Sequence, residues 1–431
     1  MRRALLLLGP LLAACVAVAE SRGTGQWNAA DSLVFSHDAT PPDVPAVALS
    51  SYGHRILPEA GLHSVFDPTV GPVIGVLAQP KFSNLAPCDG VCEYIAASYV
   101  KWVESAGGRV LPVPYNASFD ALDAIFASVN GLLFPGGSNV LSVGAKHLFS
   151  RAREAHEAGD YFPVWGTCLG LEWMVEAVCA EAVSKDPEAP RFVIDTGYDA
   201  WNLTLPLSFT EAAKTSRLFH ELPPALWDAA AAEHLTMNNH HKGVAPAHLA
   251  ATPALSEAFT VISTDLDRSG TPFVSTLEGK DGRPWYGVQF HPEKAIFEWG
   301  VAGGEDGGEA WPFEATNHSL AAQNLARYLA DFFVGEARKN RHAFPETEGP
   351  TALSWGYPRV YSGPDFVESY FIRHFHYPPD PAPGARVTES EGEGRGGPRS
   401  GDGEEVRAEV GSSKSRLRGH GSGPGLWTVA S

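Results

Sequence analysis

The chain is short of positive charge. Its 431 residues contain 32 Lys and Arg against 50 Asp and Glu, which gives a formal net charge of −18. Broad binding to a phosphate backbone needs clustered Lys and Arg, so this balance argues against a nucleic-acid partner. Hydrophobic residues make up 44% of the chain and charged residues 19%, a composition typical of a globular protein with a sizeable core.

Long apolar runs are also scarce. The one at the N-terminus, ALLLLGPLLAACVAVA, follows Arg2 and Arg3 and ends in a small-residue A-x-A site at Ala19. This pattern predicts a secretory signal peptide over residues 1–19, and the run is short for a membrane span. A bacterial lipoprotein box ending at Cys15 is the alternative. We expect no stable membrane association and a secretory destination, with vacuole, lysosome and extracellular space all open.

Cysteine is rare as well, with five in the chain. Removal of residues 1–19 leaves Cys88, Cys92, Cys168 and Cys179. The first two are close enough for a disulfide, which the sequence alone does not decide. Their spacing does not fit a zinc site, so we predict no metal. N-glycosylation sequons begin at Asn116, Asn202 and Asn317.

Composition divides the rest of the chain. Residues 20–70 are rich in Pro, Ala and Ser and predict an irregular N-terminal extension. Residues 71–377 carry regular patterns and predict the folded domain, in which any catalytic site would lie. Residues 378–431 are mostly Gly, Ser and charged residues, which cannot bury enough apolar surface to offset the entropy of ordering, so we predict a disordered tail.

Within 71–377, short apolar β-branched runs alternate with segments of helical periodicity. This alternation predicts an α/β fold with a mainly parallel central sheet flanked by helices. Predicted strands cover 73–78, 109–113, 131–137, 161–166, 261–266, 272–278 and 285–290. Predicted helices cover 94–108, 119–128, 146–160, 171–182 and 319–340.

The stretch VWGTCLGLE places Cys168 between a predicted strand and a predicted helix, framed by Gly166 and Gly170. Such a turn exposes a nucleophile, and the helix N-terminus favours a thiolate. The backbone amide of Leu169 would point to the same place as the sulfur. A small buried cysteine at a strand end is the alternative interpretation.

Two other strand ends supply what a cysteine nucleophile needs. In QFHPE, His291 follows a strand and Glu293 lies two residues later, within reach of the imidazole, which suggests a base and the carboxylate that orients it. In FPGGS, Gly136 and Gly137 allow a backbone amide to approach a substrate, and Gly137 is our predicted second oxyanion donor. Each motif alone also fits an ordinary loop.

Together, FPGG, VWGTCLGLE and GVQFHPEK resemble the class I glutamine amidotransferase-like fold. With YIAASYVKWVESAGGRVLPV, DYFPVWGTCLG and FFVGEARKN, they more closely resemble the γ-glutamyl hydrolases, the folate-polyglutamate hydrolase family, from about Val73 to Ile372. The resemblance implies Cys168 as nucleophile, His291 as general acid/base, Glu293 as triad carboxylate and His240 as a further active-site histidine. Because His241 follows directly, this last assignment is open by one position.

The resemblance further implies hydrolysis of folyl-poly-γ-glutamates through a thioester, no cofactor, and a homodimer. The alternatives are a glutaminase, a hydrolase of other γ-glutamyl amides, and a non-catalytic binding protein on the same scaffold. The substrate is a polyanion and the protein is acidic, so local cations are needed. Lys242, Arg283 and Lys294 are candidates because they lie near the motifs in the sequence.

Overall fold

The structure is a computed structural model that describes residues 67–81, 92–189, 194–303, 309–345, 347, 349–364 and 366–378. The predicted signal peptide lies outside these residues, as do 20–66 of the predicted extension and 379–431 of the predicted tail. Cys88 also lies outside them, while Cys92 is disulfide-bonded and Cys168 and Cys179 are free. Among the helices of the described part, none is long and apolar enough to cross a membrane.

Strands and helices alternate through the first half of the domain, and antiparallel pairs follow. The strands are β1 (Val73–Leu77), β2 (Gln79–Pro80), β3 (Glu93–Ala96), β4 (Arg109–Val113), β5 (Gly131–Phe134), β6 (Val164–Thr167), β7 (Asp195–Leu205), β8 (Ser208–Phe209), β9 (Thr236–Gly243), β10 (Phe259–Leu266), β11 (Pro272–Gly279), β12 (Trp285–Val288), β13 (Val301–Gly303), β14 (Ala310–Pro312), β15 (Arg359–Gly363) and β16 (Val367–Ile372). The helices are α1 (Ala97–Ser105), α2 (Phe119–Ser128), α3 (Val143–Glu157), α4 (Leu169–Lys185), α5 (Pro224–Ala232), α6 (Pro246–Ala251), α7 (Pro253–Ala258), α8 (Lys294–Phe297) and α9 (Leu320–Ala337).

The central sheet has the order β4-β1-β5-β6-β12-β11-β10-β8. The five neighbouring strands β4, β1, β5, β6 and β12 pair in parallel. The pairs β12–β11, β11–β10 and β10–β8 are antiparallel. Every residue of β1, β4, β5, β6 and β12 is buried, as expected for strands covered on both faces. The predicted α/β class with a mainly parallel sheet is confirmed.

Helices cover both faces of this sheet. One apolar core contains Leu122 of α2, Leu148 of α3 and Met174 of α4. The core on the opposite face contains Val100 of α1 and Leu329 of α9. Because parallel strands share one direction, β5, β6 and β12 bring their carboxyl ends to the same edge, which is where a ligand site forms in such sheets.

The predicted helix 94–108 is wrong at its start. Residues Glu93–Ala96 form β3, which pairs antiparallel with β16 and β2, and the helix begins at Ala97. The apolar run YIAA fits a buried strand as well as a helix, and the pairing that decides between them lies far along the chain. The predicted strand 131–137 is too long: β5 ends at Phe134, and Pro135 and the two glycines form a loop.

Candidate active site

Cys168 lies at the sharp turn between β6 and α4. Its φ and ψ are 52° and −108°, a conformation that side-chain-bearing residues rarely adopt. The amide of Cys168 donates to the Val288 carbonyl at 2.7 Å and ties the turn to β12. Strained backbone of this kind concentrates at functional sites, and as N-cap of α4, Cys168 lies where the helix dipole favours negative charge.

The positions that frame Cys168 require glycine because backbone segments come into direct contact there. A Cβ at Gly170 would lie 2.0 Å from the Phe134 carbonyl oxygen, and one at Gly166 would lie 2.6 Å from the Gly170 carbonyl carbon. Neither position has room for another side chain. The glycine pattern noted in the sequence therefore reports close packing of α4 onto β5 and β6.

Gly136 lies between the predicted nucleophile and the predicted base. A Cβ there would come 2.6 Å from Cε1 of His291 and 3.5 Å from Cβ of Cys168. The amide of Gly136 donates to the Tyr99 hydroxyl at 2.8 Å, so that amide is occupied. A Cβ at Gly137 would contact the Leu169 side chain at 3.4 Å. The predicted oxyanion residues Gly137 and Leu169 are thus neighbours beside Cys168.

His291 and Glu293 are in direct contact. The imidazole Nδ1 lies 2.7 Å from Glu293 Oε1, and both side chains are buried. The His291 amide donates to the Met237 carbonyl at 2.8 Å, which fixes the turn against β9. Burial alone would lower the pKa of His291, but Glu293 and Cys168 outweigh it and raise that pKa above its ordinary value. The pair therefore favours an imidazolium facing the sulfur.

Tyr99 is a site residue that the sequence analysis missed. Its hydroxyl accepts from the Gly136 amide and lies 3.4 Å from Nδ1 of His291, so it touches both the glycine loop and the base. Burial raises its pKa well above the ordinary range, and the hydroxyl stays neutral. Tyr99 comes from α1, which packs on the sheet from a distant part of the sequence, and no local pattern marks it.

Glu172 and Gln289 were missed too. Gln289 donates from Nε2 to Glu172 Oε1 at 3.2 Å, and the same nitrogen lies 3.7 Å from Cys168 Sγ. Burial raises the pKa of Glu172 to about 7, against the Gln289 hydrogen bond and the positive charge of Lys242. The sequence spacing could have indicated both residues. Glu172 lies one helical turn after Cys168, and Gln289 lies two positions before His291, so each side chain can point to the same side as the predicted site residue.

The two neighbouring histidines of β9 have different environments. His240 is buried, packs edge-on against Phe273, and its Nδ1 lies 2.7 Å from the Lys242 carbonyl oxygen. Its Nε2 has no hydrogen-bond partner among the residues that the structure describes, and burial lowers its pKa to about 4. His241 is exposed and stacks on Trp201. His240 is the one inside the fold and close enough to His291 for their charges to interact.

Two of the three cations proposed for substrate contact are placed elsewhere. Lys294 is buried and bound to Glu298 and Glu314, so this candidate is not available for substrate contact. Arg283 precedes β12 and lies at the sheet edge opposite the site, where it contacts Asp281 and the Trp285 ring. Lys242 is exposed, and its charge acts on Glu172.

Comparison with known proteins fits this geometry. The family model described as Peptidase C26 matches residues 72–293. The chain belongs to the peptidase C26 family. Gamma-glutamyl hydrolase of Mus musculus is 39% identical over 309 residues, which cover 70% of this chain and 89% of the relative. Gamma-glutamyl hydrolase B of Dictyostelium discoideum is 36% identical over 283 residues, covering 64% and 75%.

Membership confirms the family that the sequence motifs suggested, and the matched range contains the Cys168 turn between β6 and α4, the loop with Gly136 and Gly137, and the His291–Glu293 pair. A solved structure described as a glutamine amido transferase from Methylobacillus flagellatus is similar over 64% of this chain and 98% of its own. Its sequence identity is 14% and its TM-score 0.33.

Proposed function

We propose that this chain is a cysteine hydrolase that cleaves γ-glutamyl bonds of folyl-poly-γ-glutamates through a thioester intermediate. The observation that carries the proposal is the strained Cys168 at a helix N-terminus, separated from the His291–Glu293 pair by a glycine that leaves room for both. The family relatives named gamma-glutamyl hydrolase support the substrate class. No cofactor enters the proposal, because every step uses a side chain or backbone amide of the chain.

In the first half-reaction, Cys168 Sγ attacks the γ-carbonyl carbon. A carbon–sulfur bond forms and the carbonyl oxygen becomes an oxyanion, for which the amides of Gly137 and Leu169 are the proposed donors. His291 then gives its proton to the leaving nitrogen, the carbon–nitrogen bond breaks, and the shortened amine product departs. Glu293 holds the imidazole through Nδ1, so that Nε2 faces the sulfur.

In the second half-reaction, water replaces the amine. Neutral His291 removes a proton from water as hydroxide adds to the thioester carbonyl, and the same two amides stabilise the second oxyanion. The carbon–sulfur bond then breaks and releases a carboxylic acid and the Cys168 thiolate. The histidine is protonated again, and the site returns to its starting charge.

The proposed substrate carries a carboxylate on every glutamate, and the residues around Cys168 suit it at mildly acid pH. Glu172 has a pKa of about 7 and is therefore mostly neutral below that value, so it does not repel a polyanion there. Lys242 supplies a positive charge beside it. We assign these two residues to the glutamyl group next to the scissile bond, and His240 to the same side of the site.

We place the enzyme in the secretory pathway, with a vacuole, lysosome or the extracellular space as destination, and we expect a homodimer. Among the sequons, Asn116 has an exposed side chain, so a glycan would meet no obstacle there. Asn202 accepts from the Ala315 amide at 2.6 Å, and Asn317 donates to the His234 carbonyl at 2.7 Å. Asn116 is accordingly the best-suited acceptor of the three.

The test is hydrolysis of a pteroyl-oligo-γ-glutamate at mildly acid pH, with product lengths resolved by mass. Cys168→Ala should lower kcat by at least about 10³-fold, the scale of removing a covalent nucleophile. Cys179→Ala is the matched control: this thiol is also free and buried, but burial raises its pKa to about 12. It should keep activity within a few-fold.

Three outcomes would contradict the proposal. Folded wild type that leaves the folate substrate intact but releases ammonia from glutamine would indicate a glutaminase. Cleavage of other γ-glutamyl amides alone would change the substrate class. Tight binding of the substrate without any turnover would indicate a binding protein.

A further inference from the structure

Lys294 is a buried cation that the proposed reaction does not use. Its side chain is 3% exposed, and its ammonium donates to Glu298 Oε2 at 2.8 Å and to Glu314 Oε2 at 2.6 Å. A buried charge is retained only when it is paired, and here one cation meets two carboxylates. Burial would lower the pKa of Lys294, but Glu298, Glu314 and Glu293 together raise it, so the side chain stays charged.

Each of the two carboxylates also accepts a hydrogen bond from another element of the site. The second oxygen of Glu298 accepts from Ser98 at 2.6 Å, and Ser98 directly precedes Tyr99 on α1. The second oxygen of Glu314 accepts from Asn239 at 2.8 Å, and Asn239 directly precedes His240 on β9. Lys294 itself directly follows Glu293. One ammonium therefore connects the neighbours of three site residues.

We propose that Lys294 is a positioning residue for the hydrolase reaction. It fixes the His291–Glu293 turn relative to α1 and β9, and its charge offsets the carboxylates buried beside that turn. The proposal rests on the proposed function for its kinetic part only. Among the described residues, the titratable or charged groups that face His291 and Lys294 are Tyr99 from α1, Cys168 from the turn between β6 and α4, His240 from β9, and Glu293, Glu298 and Glu314.

The two parts of this role predict different signatures. Loss of the tether should lower kcat more than it raises KM, because a displaced base affects the reaction step rather than binding. Loss of the charge should move both limbs of the pH profile, since groups near the removed cation bind protons more tightly. A residue that only stabilised the fold would lower activity without moving the limbs of the profile, over the pH range in which the variant stays folded.

The experiment compares Lys294→Met, Lys294→Arg and Glu314→Gln, with Lys185→Met as matched control. Lys185 has a side chain that is 68% exposed and pairs with Glu181 on the surface of α4. Lys294→Met should reduce kcat by about 10-fold or more and shift the pH profile of kcat/KM upward by about half a unit to one unit. Lys294→Arg should restore the profile, and Lys185→Met should not change it.

Glu314→Gln gives the opposite sign and guards against a folding defect in Lys294→Met. It removes a negative charge while keeping an acceptor for Asn239, so the profile should move to lower pH. Unchanged profiles in both variants, with wild-type kcat in Lys294→Met, would overturn the proposal. So would a fall in kcat that Lys294→Arg does not relieve.

A second readout does not depend on the substrate. The rate of Cys168 alkylation by iodoacetamide at one fixed pH, followed by mass spectrometry of its peptide, reports the reactivity of the sulfur. Compared with wild type, this rate should shift downward in Lys294→Met, which loses a nearby positive charge, and upward in Glu314→Gln, which loses a negative one. If the folate substrate is not cleaved but these shifts appear, the proposed function fails and the role of Lys294 stands.

Discussion

Cys168 and His291 face each other across the site, and they are held there by different forces. The nucleophile side, comprising Phe134–Gly136 and Gly166–Gly170, is positioned by backbone contact: glycines allow the loops to touch, and Cys168 takes a strained conformation. The histidine side, comprising His291–Glu298 and Glu314, is positioned by charge. It contains one imidazole, one ammonium and three carboxylates in one network, in which Glu314 alone is partly exposed.

The two sides of the site should therefore be sensitive to different kinds of substitution. Contact between backbones does not change with pH, but it tolerates no added volume. A site held together by buried charges tolerates small changes in side-chain shape, but it depends on every partner keeping its charge. Changes of volume should therefore disrupt the nucleophile side, and changes of charge the histidine side.

The largest effect should come from adding one methyl group to the nucleophile side. Gly170→Ala places a Cβ 2.0 Å from the Phe134 carbonyl oxygen, a backbone atom that cannot move without displacing β5. We expect a loss of about 3 kcal/mol or more in the free energy of unfolding, measured by urea denaturation.

Gly335→Ala is the control for that substitution. Gly335 is also helical, in α9, and a Cβ there meets no atom of the described part of the chain within 4 Å. It should stabilise the protein by about 0.5–1 kcal/mol through helix propensity. A Gly170→Ala protein as stable as wild type would show that backbone contact does not position Cys168.

The nucleophile side was also the part that the sequence predicted best. Its strands are short apolar runs, and closely spaced glycines mark the turns that follow them. His291 and Glu293 were predicted as a pair because Glu293 lies only two positions after His291. The roles assigned to these residues remain predictions, whereas the contacts among them are features of the structure.

What the sequence could not supply is the long-range pairing. Asn239 and Glu314 are 75 positions apart, and Ser98 and Glu298 are 200 apart, so no local pattern links them. The β7–β9 ribbon was missed because β7 has an irregular burial pattern in place of alternation. The choice between His240 and His241 depends on which of them the ribbon turns inward.

A smaller effect is expected when charge is removed from the histidine side by Glu293→Gln. The raised pKa of His291 stabilises the fold fully below the unfolded value of about 6.5, and this contribution is lost as the pH rises through the folded value. Without the carboxylate the pKa rises less. The stability difference between wild type and variant should therefore be largest below about pH 6.5 and shrink by about 1–2 kcal/mol towards pH 9.

Urea denaturation across pH 5.5–9 measures that difference. Glu157→Gln serves as control, because Glu157 pairs with Arg153 on an exposed face of α3 and takes no part in the His291 network. A gap between wild type and Glu293→Gln that stays constant over this range would mean that Glu293 acts through shape rather than charge.

The smallest effect tests the strain at the nucleophile itself. A backbone conformation with φ 52° and ψ −108° is accessible to glycine but strained for any residue with a Cβ. Cys168→Gly should therefore be more stable than Cys168→Ala by about 1 kcal/mol, although glycine is usually the less stable of the two. Ala182→Gly, in the same helix with ordinary backbone, should destabilise by about 1 kcal/mol and so give the opposite sign. If Cys168→Gly is instead the weaker variant, the turn stores no strain.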